Sequence, residues 1–376
     1  MNSSAEPRTG INVNRRWWVS TASVVGVGLL LIASIVTFES RSGSSPTTTI
    51  ANHGYPYSVG SPILALKLTH LEMLTSRIGV GVAPIVTYSG ALVRAYLVRT
   101  NDAGETWTVT GDFPRGFYPW TTAFTTPRGG YVISSGGALF TKDAGRTWSK
   151  VVTSYSPLSI SINGQVVWIP VENYCPKVAM NDPCGTFLDS FRIGSLVTTS
   201  VSSVPTDRPL LSQVAPTKGY AIGSGDFAGK VYFTTNSGAS WRSVATPCEH
   251  RHISGSSVVS SSQLLTYCEL GPSNDPGFTV LYKTANGGAT WHKTSGVQAV
   301  GLDAAVGSTG QYLWEFDEGG ALSESSDGGR EWVDVPRVTY GTNGVIATYG
   351  AHEAWHVVSG HGIYRTLNGR VWKLLK

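Results

Sequence analysis

Thr284-Ala285-Asn286-Gly287-Gly288-Ala289-Thr290-Trp291 is one of six versions of a single phrase. The others run Thr100 to Trp107, Thr141 to Trp148, Thr234 to Trp241 and Ser325 to Trp332, with a degenerate copy from Arg365 to Trp372. All six place glycine three residues before the tryptophan, at Gly104, Gly145, Gly238, Gly288, Gly329 and Gly369. Five place Asp or Asn five residues before it, at Asp102, Asp143, Asn236, Asn286 and Asp327. Such a pattern describes a turn. The Asp or Asn side chain accepts from nearby backbone N–H groups, glycine supplies φ > 0, and the hydroxyls cap what remains. The tryptophans, Trp107, Trp148, Trp241, Trp291, Trp332 and Trp372, then open the next strand and cover the turn with an apolar face.

Outward from the turn, the spacing predicts the architecture. Successive tryptophans lie 41, 50, 41 and 40 residues apart, with one interval of 93 where a marker is missing. A period of 40–50 residues holding several short strands is the signature of a β-propeller. In the second unit the strands read as 120–126, 130–135, 138–142 and 147–152; in the fourth, as 211–215, 219–224, 230–235 and 241–244. The missing marker falls in 186–200, where Asp189 and Gly194 remain as its expected relics without a tryptophan. Six marked units and one unmarked give seven four-stranded blades of about 45 residues over 61–376, with six or eight blades as the alternative. The fold class is therefore all-β: one seven-bladed propeller preceded by one N-terminal transmembrane helix.

Composition agrees. The chain has 44 glycines in 376 residues and only 14% charged residues, which suits strands and turns better than helices. The net charge is +4, half of it from the N-terminal segment, so the body offers no electrostatic footprint for nucleic acid.

Residues 1–16 are polar and include Arg8, Arg15 and Arg16; Trp17 and Trp18 then border the uncharged run Val19 to Phe38. That run has 20 uncharged residues, about what a helix needs to cross a hydrocarbon core of about 30 Å. Basic residues on the N-terminal side predict a cytoplasmic N-terminus and an exported body. Residues 17–38 thus read as an uncleaved signal anchor, the alternative being a cleaved signal peptide and a secreted product. Residues 39–60, rich in Ser, Thr, Pro and Gly, read as a tether.

Four cysteines lie beyond the apolar run, in a compartment where disulfides persist. Cys175 and Cys184 bracket a loop in the unmarked third blade. Cys248 and Cys268 fall on the expected first and second strands of the fifth. The predicted pairs are 175–184 and 248–268.

The repeated S/T-x-D-x-G-x-T-W unit resembles the Asp-box, or BNR repeat, shared by sialidases, sortilin-type receptors, xyloglucan-cleaving glycosidases and photosystem II assembly factors. The evenly spaced blades are most similar to the single-propeller assembly-factor type. That resemblance implies a non-catalytic platform for proteins, with Asp102, Asp143 and Asp327 structural at the rim. The fold hosts many activities, so the repeat marks architecture rather than function.

Several strings imitate catalytic or metal motifs. Sialidases place a Phe/Tyr-Arg-Ile-Pro motif ahead of the first box; here Phe191-Arg192-Ile193-Gly194 lies mid-chain and lacks the proline. A glycosidase needs two facing carboxyls about 5–9.5 Å apart. Asp303, Glu315, Asp317 and Glu318 form the only acidic group dense enough to suggest one, and they read as solvated strand ends. His352-Glu353-Ala354-Trp355-His356 spells the zinc-protease H-E-x-x-H, which needs a helix to bring both imidazoles to one metal. The segment aligns instead with a blade's second strand, where the two histidines stand roughly 13 Å apart. His250 and His252, next to Cys248, read as connector residues. No catalytic, cofactor or metal residues are assigned. The expected function is a membrane-anchored, extracytoplasmic platform binding an unknown protein or glycan on one propeller face, with no cofactor. The rival is an exported glycoside hydrolase or lyase.

Overall fold

The computed structural model describes residues 57–63, 68–86, 92–174, 183–206, 208–223, 229–248, 251, 253–269, 278–299, 303–316, 321–335, 345–358 and 362–375. Its strands fall into seven antiparallel sheets, each built from consecutive strands. Blade 1 comprises His70–Met73, Gly79–Val86, Leu92–Thr100 and Thr108–Asp112; blade 2 comprises Thr121–Phe124, Gly130–Ser134, Gly137–Thr141 and Ser149–Val151. Blade 3 has an inner strand in two pieces, Ser156–Pro157 and Ser161–Asn163, followed by Val166–Tyr174, Pro183–Arg192 and Ser200–Val204. Blade 4 holds Leu210–Ala215, Lys218–Ile222, Val231–Thr234 and Arg242–Val244. Blade 5 holds Ile253–Val258, Leu264–Glu269, Phe278–Thr284 and His292–Ala299. Blade 6 holds Asp303–Val306, Leu313–Phe316, Leu322–Ser325 and Val333–Asp334. Blade 7 holds Val345–Tyr349, Glu353–Val358, Gly362–Thr366 and Trp372–Leu374. The strands expected for the second and fourth units reappear within two or three residues.

The core lies between the blades. In five blades the second strand carries a large side chain at one ladder position, which in blades 2, 4, 6 and 7 lies beside the residue that pairs with the start of the repeated turn. Tyr131, Trp168, Tyr220, Trp314 and Trp355 occupy it in five blades, and all five are fully buried. Alternation along a strand sends this position to the next blade and its neighbours to the previous one. Each seam therefore interleaves side chains from two sheets. The Tyr131 hydroxyl accepts from Gly194 N–H of blade 3 at 2.7 Å, and the Tyr220 hydroxyl donates to Ser261 of blade 5 at 2.8 Å.

The ring closes without exchanging a strand, because the first and last strands each stay in their own blade. The blade 7 to blade 1 seam depends on packing. Trp355 donates its indole N–H to Ala103 at 2.7 Å, and Leu71, Met73, Tyr96 and Trp107 pack in one cluster with Ala347, Trp355 and Val357. The Arg365 guanidinium lies 4.9 Å over the Trp355 ring and donates to Ser76 O.

The chain reaches blade 1 as an added edge. Gly60 N–H donates to Val109 O, Val109 N–H to Ser61 O, and Ile63 N–H to Trp107 O. Residues 57–60, which the sequence suggests as tether, thus already belong to blade 1 contacts, and Tyr57 packs edge-on against Tyr96. Segment 17–38 lies outside the described residues. Among those that are described, no helix is long and apolar enough to cross a membrane.

Candidate functional site

Strand alternation gives the disc two unlike faces. The repeated turns join third to fourth strands and sit beside the first-to-second turns: Ala103 N–H donates to Arg77 O, Ala144 to Arg128 O, and Ser237 to Thr217 O. The opposite face carries the ends of the interblade connectors and of the second and third strands, Tyr174 and Pro183 among them.

Each repeated turn is chemically self-contained. In blade 2 the Thr141 hydroxyl donates to Asp143 Oδ1 at 2.9 Å and accepts from Gly145 N–H at 2.8 Å. The Thr147 hydroxyl and N–H both donate back to the same carboxylate, at 2.6 and 2.9 Å. Burial works to raise the Asp143 pKa, but these bonds outweigh it and hold the group below its ordinary value; Asp102 and Asp327 behave alike. Blades 4 and 5 repeat the geometry with Asn236 and Asn286. In blade 7 the worn copy is one residue shorter. Thr366 and Asn368 take the roles of the hydroxyl and the acceptor, and Asn368 Oδ1 accepts from Arg370 and Val371 N–H. Aligning on glycine and tryptophan alone hides this, because the deletion lies between the acceptor and the glycine.

Two further features are absent from the sequence reading. The residue before the glycine also has positive φ, at Ala103, Ala144, Ser237, Gly287 and Gly328. The glycine itself is pressed against the preceding blade: a Cβ at Gly288 (φ 90°) stands 2.1 Å from Val244 Cγ1. Three of the six tryptophans add hydrogen bonds to this contact, whereas the buried indole N–H groups of Trp241 and Trp332 meet no acceptor among the described residues. Trp148 donates to Asp112 O at 2.8 Å, Trp291 to Ala245 O at 2.7 Å, and Trp372 to Glu324 at 3.2 Å, each on the preceding blade. Trp107 turns inward to Gly104 O of its own turn. The turn is a staple between neighbouring blades.

Blade 3 departs from this rule. Asp189 is no relic of the turn: it lies in mid-strand, wholly buried, and its carboxylate accepts from Ser154 N–H and hydroxyl, both at 2.7 Å. Burial raises its pKa against these two bonds. Gly194 does occupy the third-to-fourth turn, with φ 84°. In place of tryptophan, residues 196–198 pair in parallel with Val152 of blade 2. Val152 N–H donates to Leu196 O at 2.7 Å, and Val152 and Val197 form a bridge. Phe191 and Arg192 end the third strand, with Phe191 buried.

The remaining candidates separate rather than converge. Glu353 to Val358 is a strand, the second of its blade, so His356 pairs across it with Ile346 and Tyr364 while His352 lies in the preceding turn against Tyr312. Burial lowers the His356 pKa to about 3, which keeps the imidazole neutral. Glu353 pairs with Arg365. Among the acidic group of blade 6, Glu315 is not a solvated strand end. It is 5% exposed and faces Tyr267 across the blade 5 to blade 6 seam, where burial and then the Glu315 charge raise the phenol pKa. The side chain of Asp303, and Asp317 and Glu318, lie outside the described residues, as do His250 and His252.

Cys248 and Cys268 are joined, with Cα atoms 5.2 Å apart and both residues buried. Cys268 lies on the second strand of blade 5 as expected. Cys248, however, precedes Ile253, on the connector rather than the first strand, so the bond ties an interblade connector to its blade. The 175–184 pair falls outside the described residues.

At the axis, a cavity of about 400 Å³ is bordered by the inner strands of blades 4 to 6 and lined by Leu210, Ser212, Ile222, Ser256, Val258 and Ser308. Across the ring, His70 and Glu72 of blade 1 reach the inner strand of blade 2: His70 Nε2 meets Trp120 O, and Phe124 N–H donates to Glu72 at 2.9 Å. Burial pushes the Glu72 pKa up to about 7 despite that bond.

No family model matches the chain, and no characterised protein matches it by sequence. Solved structures do match by fold. A structure of YCF48 bound to D1 peptide superimposes with a TM-score of 0.53 at 14% identity, covering 80% of this chain and 94% of that one. YCF48 from Cyanidioschyzon merolae gives 0.51 at 17% identity, covering 70% and 86%. An oligogalacturonate lyase from Vibrio parahaemolyticus gives 0.55 at 9% identity, covering 81% and 90%. The chain is a seven-bladed β-propeller, a fold shared by binding proteins and enzymes alike.

Proposed function

We propose that this propeller is a non-catalytic binding or assembly platform, held at the outer face of a membrane by residues 17–38, and that its repeated turns are Asp boxes. The observation that carries the reading is the consumption of the turns. Their carboxylates and hydroxyls, with four of the six indole N–H groups, are spent on the turn itself and on the preceding blade, so they form scaffold and recognition falls to the loops and seams. The burial of Glu315 in a seam supports it, since a glycosidase acid must reach a substrate in an open cleft. The 175–184 disulfide, bracketing the second-to-third loop of blade 3, is proposed as a covalent tie on the recognition face. The likeness to YCF48 in complex with a D1 peptide fits a protein ligand.

The test is affinity capture from membranes of the host, paired with a glycan substrate screen. Saturable recovery of a defined partner with no turnover is expected. Glycan turnover abolished by single carboxylate-to-amide changes would replace the platform with the hydrolase or lyase.

A further inference from the structure

The seam between blades 2 and 3 carries an exposed apolar strip that the stapled seams lack. Val152 is 54% exposed, Val197 56% and Val201 51%, and Tyr155, at 39%, stacks 5.1 Å from Phe187. These residues are contiguous. Val152 bridges Val197, Ser154 is clamped to Asp189, Asp189 pairs with Val201, and Phe187 pairs with Ser203 on the same face. The strip exists because the stapling turn does not: a parallel backbone bridge holds the seam, and aliphatic side chains face outward where other seams put Asp, Thr and Trp.

Backbone is available beside it. Ser200–Val204 is the last strand of the blade 3 sheet. Blade 1 shows what such an edge can accept, since Ser61 and Ile63 bond to its outer strand and Pro62 forms an antiparallel bridge with Thr108 there. An extended segment added to Ser200–Val204 would place alternate side chains on the face that carries Val201, toward Val197 and Val152. Charge completes the description. Residues 149–158 and 186–204 expose Lys150 and Arg192, whereas their single acid, Asp189, is buried.

Resting on the platform reading, we infer that this seam is its docking site, and that the occupant is an extended segment of a partner protein. Such a segment alternates aliphatic with small polar residues, ends in carboxylates that meet Lys150, two positions before Val152, and adds as a strand to blade 3. The exposed aliphatics of blades 6 and 7, Val333, Leu367 and Val371, are not equivalent: both signs of charge (Arg330, Glu331, Asp334, Arg370 and Lys373) interrupt them.

The experiment measures fluorescence anisotropy with a labelled synthetic peptide of alternating valine and threonine ending in two glutamates, beside a twin ending in two lysines. The protein is the full chain in detergent. Saturable binding of the glutamate peptide is expected, weakened about ten-fold or more by Val197→Asp or Val152→Asp and by the lysine ending, and unchanged by Val371→Ser. Because these three valines are exposed and none pairs with a carboxylate, thermal unfolding should be unaltered in all variants. Equal binding to the Val197→Asp protein, equal binding of both peptides, or no binding of either overturns the seam assignment. If membrane capture of a partner survives Val197→Asp, the platform stands and only the seam is wrong; if the wild-type chain captures none, the platform itself falls.

Discussion

Blade 2 and blade 3 are adjacent, have the same strand order, and solve one packing problem in opposite ways. Blade 2 closes on blade 1 with a stapling turn, where Asp143 organises Thr141 and Thr147 and Trp148 reaches Asp112. Blade 3 closes on blade 2 with a backbone bridge and a buried carboxylate, Asp189, gripping the connector at Ser154. The first solution consumes polar groups and leaves nothing to bind with. The second leaves aliphatic side chains and a sheet edge facing solvent. Loss of the turn costs the molecule a marker and gives it a surface.

The largest expected effect is a reference point for any seam. Trp355→Ala removes a fully buried indole from the blade 7 to blade 1 closure and should cost about 3–5 kcal/mol in denaturant unfolding. Asp189→Ala should follow at about 1.5–3 kcal/mol, because it removes the two hydrogen bonds that a fully buried carboxylate receives from Ser154; a cost below 0.5 kcal/mol, on the order of a surface change, would deny the clamp its role. The inner ring supplies a pH test. Glu72 has a folded pKa of about 7, above its unfolded value, so its contribution is complete below an unfolded pKa of about 4.5 and is lost as pH rises through 7. Glu72→Gln should therefore stabilise the protein at pH 8 by about 1–3 kcal/mol and leave it little changed at pH 4.5, as read from melts across that range.

Smaller effects sharpen the comparison at the turn itself. Asp143→Ala should cost about 1 kcal/mol, as loss of a capping carboxylate does. Ala144→Gly should gain roughly 0.5–1 kcal/mol, since Ala144 sits at φ 63°, where a Cβ is disfavoured. Ala144→Val should lose stability by a similar or larger amount.

Most of the fold was legible because the turn and its period were. The Asp, Gly and Trp positions report local geometry, and local geometry repeats wherever a blade does. What the turn touches was not legible. Trp148 donates to a residue 36 positions earlier, and the Cβ barred at Gly288 is barred by Val244 of another blade. Both facts are tertiary. Asp189 misled for the same reason: an Asp ahead of a turn glycine looks like a worn marker until its strand places it mid-sheet, 35 residues beyond its Ser154 partner. The strand reading holds for Glu353 to His356 because it used register within the repeat, while His352 falls in the turn just before that strand; the connector position of Cys248 was missed because no repeat fixes connector length. The candidate site was hardly visible at all. Val152, Val197 and Val201 are ordinary strand residues in sequence, and only the missing staple exposes them.

The central claim is that repeated turns hold the propeller together while the unstapled seam binds. One parallel measurement tests it most directly: thermal unfolding and partner capture from membranes, on Asp143→Ala and Val197→Asp side by side. The account predicts that Asp143→Ala lowers the melting temperature and keeps capture, whereas Val197→Asp keeps the melting temperature and loses capture. A turn variant that loses the partner while staying folded, together with a seam variant that keeps it, would contradict the account.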